Sequence, residues 1–220
     1  HVVIHVSTQR TLSSAYSRVV DNFEMTGVAI VGTSNYHYYA MTYGRLVLLR
    51  GTTNVSIHHN SIVGASMIGI GTEGNSKFTD ISSNWVYNCK YTGINLNGSS
   101  VGSRITGNRV YGTDGDSNSA AIQACGNAIV TGNTVYGSTV NYANAGGIQW
   151  GEGNWHGMGE IGGNVVMHTS YGIRSYFHSA CNIHHNLLIN CRVISGIIVT
   201  DTVIAGLSVP SSHTIIANNI

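Results

Sequence analysis

Nine carboxylates serve 220 residues, so the places where they gather are where acid–base chemistry has to be sought. Asp114 and Asp116 share the segment 113–120 (TDGDSNSA), and Glu152 follows Gln149-Trp150 one repeat later. Hydrolysis of a glycoside needs two carboxyl groups, about 5–5.5 Å apart for retention or about 6.5–9.5 Å for inversion. Glu152 with Asp114 or Asp116 is the candidate pair. The same segment spaces Asp114, Asp116 and Asn118 as a Ca2+ loop would, although the glycine and terminal glutamate of an EF-hand are missing; a solvated turn explains it equally well.

A second cluster lies in Tyr171-Gly172-Ile173-Arg174-Ser175-Tyr176-Phe177-His178. Strand alternation puts Arg174, Tyr176 and His178 on one side, with His156 one repeat earlier. A base and a cation together could remove the C5 proton of a uronate and stabilise the resulting anion, the chemistry of a lyase or epimerase. Tyr and His on an outer face are also ordinary surface residues. Gly69-Ile70-Gly71-Thr72-Glu73-Gly74 matches a dinucleotide fingerprint, but no helix follows it, and we set it aside.

Composition narrows the partners. Charged residues are 9% of the chain, net charge is +1, and the basic residues are scattered singly. Nothing here would neutralise a phosphate backbone, so nucleic acid is not expected. No apolar run approaches the roughly 18 residues of a membrane span, so no membrane insertion is expected. The 28 glycines, single proline and abundant Asn, Ser and Thr make a neutral hydrogen-bonding surface, suited to sugars.

The elements that must position these residues come from a repeat. Apolar-x-x-Asn-x-apolar recurs at Asn22, Asn60, Asn84, Asn108, Asn133, Asn164, Asn186 and Asn218. Residues 105–112 (ITGNRVYG) and 130–137 (VTGNTVYG) are two such units. After the Asn comes a small residue followed by Ile: Gly69-Ile70, Gly93-Ile94, Ala121-Ile122, Gly147-Ile148, Gly172-Ile173 and Gly196-Ile197. Short alternating runs broken by Gly, Asn and Ser read as strands, and no helical stripe is present. Three strands and three turns in about 24 residues make one coil of a solenoid, with coils about 4.8 Å apart. The expected fold is therefore all-β: one parallel β-helix of about eight coils over residues 1–220. The anchor Asn would occupy a left-handed corner, and stacked Asn amides would bond along the column.

This pattern resembles the right-handed parallel β-helix of the pectate-lyase-like superfamily, over roughly residues 19–220. That group holds polysaccharide lyases, epimerases, glycosidases and phage tailspikes. The resemblance implies a substrate groove on the outer face of the Gly-Ile strand. Outward positions there are Asn95, Gln123, Gln149 and Arg174, then Asn97 and Tyr176. Flanking segments bring aromatics to the groove: Tyr36, Tyr38 and Tyr39 in 33–44, and Tyr142 in 140–146. Such rings can stack on sugars, or fold back as a lid or a trimer contact. His156 completes the expected substrate-binding set.

His58-His59 and His184-His185 both sit in Ile-His-His-Asn, similar to the HHN of pectate lyases, but the prolines expected beyond Arg192 are absent. The two pairs lie five coils apart, cannot share one metal, and are read as turn packing. Cys89 and Cys191 share a column of small residues four coils apart, too far for a disulfide, so four free thiols are expected.

The expected function is binding and cleavage of a cell-surface or extracellular polysaccharide, as in a phage tailspike. The protein would then stand on a virion tail or be secreted, would need no cofactor apart from the Ca2+ alternative above, and would form a homotrimer as that group does. The alternatives are a secreted lyase or C5-epimerase, and a non-catalytic adhesin or spike stem. The chain starts in an apolar run and stops just past Asn218, so caps or flanking domains are expected beyond both ends.

Overall fold

The computed structural model describes residues 4–7, 20–32, 44–74, 76–97, 101–113, 119–137, 146–151, 157–175, 180–191, 195–199, 202–204, 207–209 and 215–220. Among them there is no helix. Three parallel sheets of nine, seven and eight strands wind into a β-helix. Each regular coil crosses them in turn: a first-sheet strand such as Lys77–Ser82, a second-sheet strand such as Trp85–Tyr87, and a third-sheet strand such as Thr92–Asn95. Five coils over residues 52–175 repeat this plan with every strand side chain described. The reading of about eight coils overshoots because it counts irregular ends as full repeats. Outside the plan, Thr202–Ile204 and Leu207–Val209 pair antiparallel.

The core is three columns of branched side chains, one per sheet. Ile57, Ile81, Ile105, Val130, Ile161 and Ile183 stack in the first sheet. Ile62, Val86, Val110, Val135 and Val166 stack in the second, and Ile70, Ile94, Ile122, Ile148 and Ile173 in the third. All are fully buried, each worth about 1.5–3 kcal/mol relative to exposure. The small residue before the third-sheet Ile has a steric cause. A Cβ at Gly93 would lie 2.4 Å from Val110 Cγ1 and 2.9 Å from the Ala121 carbonyl oxygen of the next coil.

The asparagine column turns the corner between the first and second sheets. Asn84 Nδ2 donates to Ile57 O at 2.8 Å in the preceding coil and to Asn108 Oδ1 at 3.0 Å in the next. Its backbone N–H also donates to Asn108 Oδ1, at 2.9 Å. The pattern runs unbroken from Asn60 through Asn84, Asn108, Asn133, Asn164 and Asn186 to Asn219. The expected ladder is therefore present, with three corrections. The left-handed residue is the one before the Asn: His59, Ser83, Gly107, Gly132, Gly163 and His185 have φ between 52° and 64°. The Asn itself must aim its side chain along the helix axis, and the preceding residue makes the bend. Second, the last member is Asn219, and Asn218 is the bend before it, with φ 50°. Third, Asn22 belongs to another left-handed column with Asn54; Val28 holds the corner of the first coil, its N–H donating to Asn60 Oδ1 at 2.9 Å.

The cysteines fit as small core fillers. All four are free; Cys89, Cys125 and Cys181 are buried and Cys191 is half-buried. Burial pushes the Cys89 thiol up to about 12 and raises that of Cys181 further, the latter helped by the charge of Glu160. Both stay neutral thiols and are poor nucleophiles.

Replacing Asn108 by Ala orphans the Asn84 N–H, one Asn84 amide hydrogen and the Ile81 carbonyl, so urea unfolding should show a loss of about 3 kcal/mol or more. Exposed Asn182→Ala, in contrast, should change stability by under about 0.5 kcal/mol. In native protein an aromatic disulfide reagent should titrate Cys191 while Cys89 and Cys181 stay unreacted until denaturant is added. Stability should also fall as pH rises from 9 towards 12, because the unfolded Cys89 thiol ionises there and the folded one does not.

Candidate functional site

The expected groove residues do come together. Asn95, Gln123, Gln149 and Arg174 are consecutive register partners on the third sheet. They do not form an open groove: Asn95, Gln123 and Gln149 are 5%, 4% and 3% exposed, and Arg174 is half-buried. They bond to one another and to strand-start residues that lie over them. Asn95 Nδ2 donates to Gln123 Oε1 at 2.9 Å, and Arg174 Nη2 donates to Gln149 Oε1 at 2.5 Å.

Tyr171 is the largest cover. Its hydroxyl reaches Ser119 O at 3.1 Å and Gln149 Oε1 at 3.3 Å, while the Arg174 guanidinium sits 4.5 Å from its ring centre. The ring crosses the neighbouring coil at Gly146, where a Cβ would be 2.0 Å from Tyr171 Cζ. Alternation thus assigns these side chains to the side away from the core, and the tertiary structure buries that side. Asn97 is half-buried, with its N–H donating to Thr72 Oγ1 at 2.9 Å. Glu73, on the same strand face, is gripped by Arg45 and by Arg50, whose Nε donates to it at 2.8 Å. Glu152, Asp114, Asp116, Asn118, Tyr176, His178, Tyr142, His156, Tyr36, Tyr38 and Tyr39 lie outside the described residues.

An open face lies on the second sheet. There the inward Val of each strand is flanked by two outward side chains: Trp85 and Tyr87, Arg109 and Tyr111, Thr134 and Tyr136. Register stacks Tyr87, Tyr111 and Tyr136 in one column and Trp85, Arg109 and Thr134 in the other. Trp85 is 51% and Tyr87 45% exposed. Ring centres are 6.2 Å apart for Trp85–Tyr87 and for Tyr111–Tyr136, and 4.9 Å for Tyr136–His168. Trp85, Tyr87, Arg109 and Tyr111, with Ser83 and Gly107 of the corner, line a hollow of about 710 Å³. Its left-handed corner residues carry little bulk, so the hollow opens beside the aromatic column.

No protein-family model, curated protein or solved structure matches the chain. Apolar ring surface, phenolic hydroxyls and one guanidinium share this face, so it offers stacking, hydrogen bonding and one positive charge. The signal is present in the sequence: Asn-Trp-Val-Tyr, Asn-Arg-Val-Tyr and Asn-Thr-Val-Tyr recur in adjacent coils, and alternation about the central Val turns both neighbours outward.

The covered stripe generates its own check. Tyr171→Phe removes a shared hydroxyl proton and should cost about 1–2 kcal/mol in urea unfolding. Gly146→Ala should cost more, by collision with the ring, and most of that excess should vanish in a Tyr171→Ala background.

Proposed function

We propose that the chain binds a polysaccharide along the second-sheet face of the β-helix. The observation that carries this reading is the exposed aromatic column with Arg109 beside the hollow. Stacked coils offer a sugar chain the same side-chain type at each step of about 4.8 Å, so one ligand can engage several coils. Low charge favours a neutral or weakly acidic glycan, held by ring stacking and hydroxyl contacts. Together with the resemblance to pectate-lyase-like β-helices, this supports a tailspike-like or secreted protein acting on an extracellular glycan.

Cleavage is a separate proposal, because its candidates Glu152 and Arg174 belong to the third-sheet strands Gly146–Trp150 and Tyr171–Ser175 or follow them in the chain. Among the described carboxylates, Glu73 is held by two arginines, Glu24 and Glu160 each face a histidine, Asp21 accepts from Asn54 Nδ2, and Asp80 stands on the first-sheet strand Lys77–Ser82. The hydrolytic pair we propose is Glu152 with Asp114 or Asp116. A lyase or epimerase would use Arg174, Tyr176 and His178.

A second reading rests on Val31, 75% exposed, and Leu187, 38% exposed, which extend the same face with apolar surface. In that reading the face packs copies together in a homotrimer.

Affinity electrophoresis against a panel of bacterial and plant polysaccharides, with Trp85 fluorescence as a second readout, tests the first reading. Trp85→Ala with Tyr111→Ala should weaken binding about tenfold or more, roughly 1.4 kcal/mol. Undiminished binding by the double variant would sink the glycan reading; dissociation of a trimer by the same variant in sedimentation would establish the second. New reducing ends that disappear in Glu152→Gln would support hydrolysis, whereas an unsaturated, ultraviolet-absorbing product would mark a lyase.

A further inference from the structure

The first-sheet face carries the same three-residue arrangement twice. His58 Nε2 lies 2.6 Å from Glu24 Oε1, and its Nδ1 lies 2.8 Å from His59 Nδ1. Five coils on, His184 Nε2 lies 3.1 Å from Glu160 Oε1, and its Nδ1 lies 2.9 Å from His185 Nδ1. The ring planes within the two pairs meet at 87° and 82° with centres 5.1 Å apart. His59 and His185 are both left-handed, with φ 55° and 52°, and this corner conformation swings each second ring back to the first.

The chemistry of one pair fixes its tautomer. An ionised carboxylate only accepts, so Nε2 of His58 and of His184 carries the proton, and the Nδ1 lone pair accepts from the Nδ1–H of His59 and of His185; an ion bound between the two rings would displace that hydrogen and leave the second ring protonated at Nε2. A carboxylate behind the distal nitrogen is the usual partner of a metal-ligating histidine; it orients the ring and raises its basicity. Two nitrogens 2.8–2.9 Å apart, each about 2.0–2.1 Å from an ion, subtend about 90° at it. A tetrahedral zinc site would need them about 3.3 Å apart. Adjacent positions of a square-planar or tetragonal ion fit, and that geometry with imidazole ligands selects Cu2+ or Ni2+.

Both sites stand open. His59 and His185 are exposed, and the side chains of His58 and His184 are 22% and 24% exposed, so water can complete the coordination. Among the described residues no group of three or more His, Cys, Asp or Glu side chains could hold a metal, and these are accordingly two-nitrogen sites. The two differ in one neighbour: Thr26 Oγ1 lies 3.1 Å from His58 Nδ1, whereas Gly162 is the register partner of His184.

We propose that His58–His59 and His184–His185 are twin chelating sites for a tetragonal divalent ion, Cu2+ or Ni2+, each oriented by the carboxylate of Glu24 or Glu160. The proposal is independent of the glycan reading, because it uses another sheet and other residues.

Titration of the tag-free chain with CuCl2 in a non-coordinating buffer at neutral pH, followed by electron paramagnetic resonance, tests it. His59→Asn and His185→Asn keep a residue that accepts the left-handed corner, and far-UV circular dichroism checks that they fold. Each single variant should lose one bound equivalent, and the double variant two, together with the splitting from two equatorial nitrogens. Loss of fewer than two equivalents in a folded double variant, or a spectrum unchanged from the parent, would overturn the proposal.

Discussion

Everything in this β-helix depends on how each coil turns from the first sheet into the second without stranding polar groups. Six backbone N–H groups and the amide hydrogens beside them sit in a corner with almost no access to water. One Asn per coil solves the whole corner. Its Oδ1 accepts two hydrogens from the coil before, and its Nδ2 donates once backwards and once forwards. Buried unpaired amides cost about 1–3 kcal/mol apiece, so a missing rung is felt at once by both neighbouring coils.

With the corner fixed, the rest of each coil is held in register. Branched residues stack on branched residues, small residues face the next coil's carbonyl, and outward positions fall into columns. Columns are what turn single residues into surfaces. On the third sheet they assemble an amide stripe that Tyr171 and its neighbours then cover. On the second they assemble rings and a guanidinium that stay exposed. On the first they place a histidine pair against a carboxylate at two separate levels. One architectural repeat thus carries three faces of quite different character.

Most of the fold is legible in the amino-acid sequence. The spacing of Asn60, Asn84, Asn108 and Asn133 sets the coil length, the Gly-Ile and Ala-Ile pairs locate the third sheet, and alternation separates core from exterior. The departures have one common source. Alternation tells which side of a strand a residue is on, but not whether another segment lies over that side. Gln123 and Gln149 do turn away from the core and are still nearly inaccessible. The ends mislead for a related reason: Asn22 and Asn218 match the local pattern, yet membership of the ladder depends on a neighbour in the next coil.

What is periodic can be read from the residues alone: strand length, core columns and the amide ladder, because each depends on residues one repeat apart making like contacts with like. Tertiary structure alone decided what is not periodic. Tyr171 crosses Gly146 to cover part of the third-sheet stripe, and the histidine pairs meet glutamates 34 and 24 residues away. Those contacts join unlike residues across coils, and no local pattern encodes them.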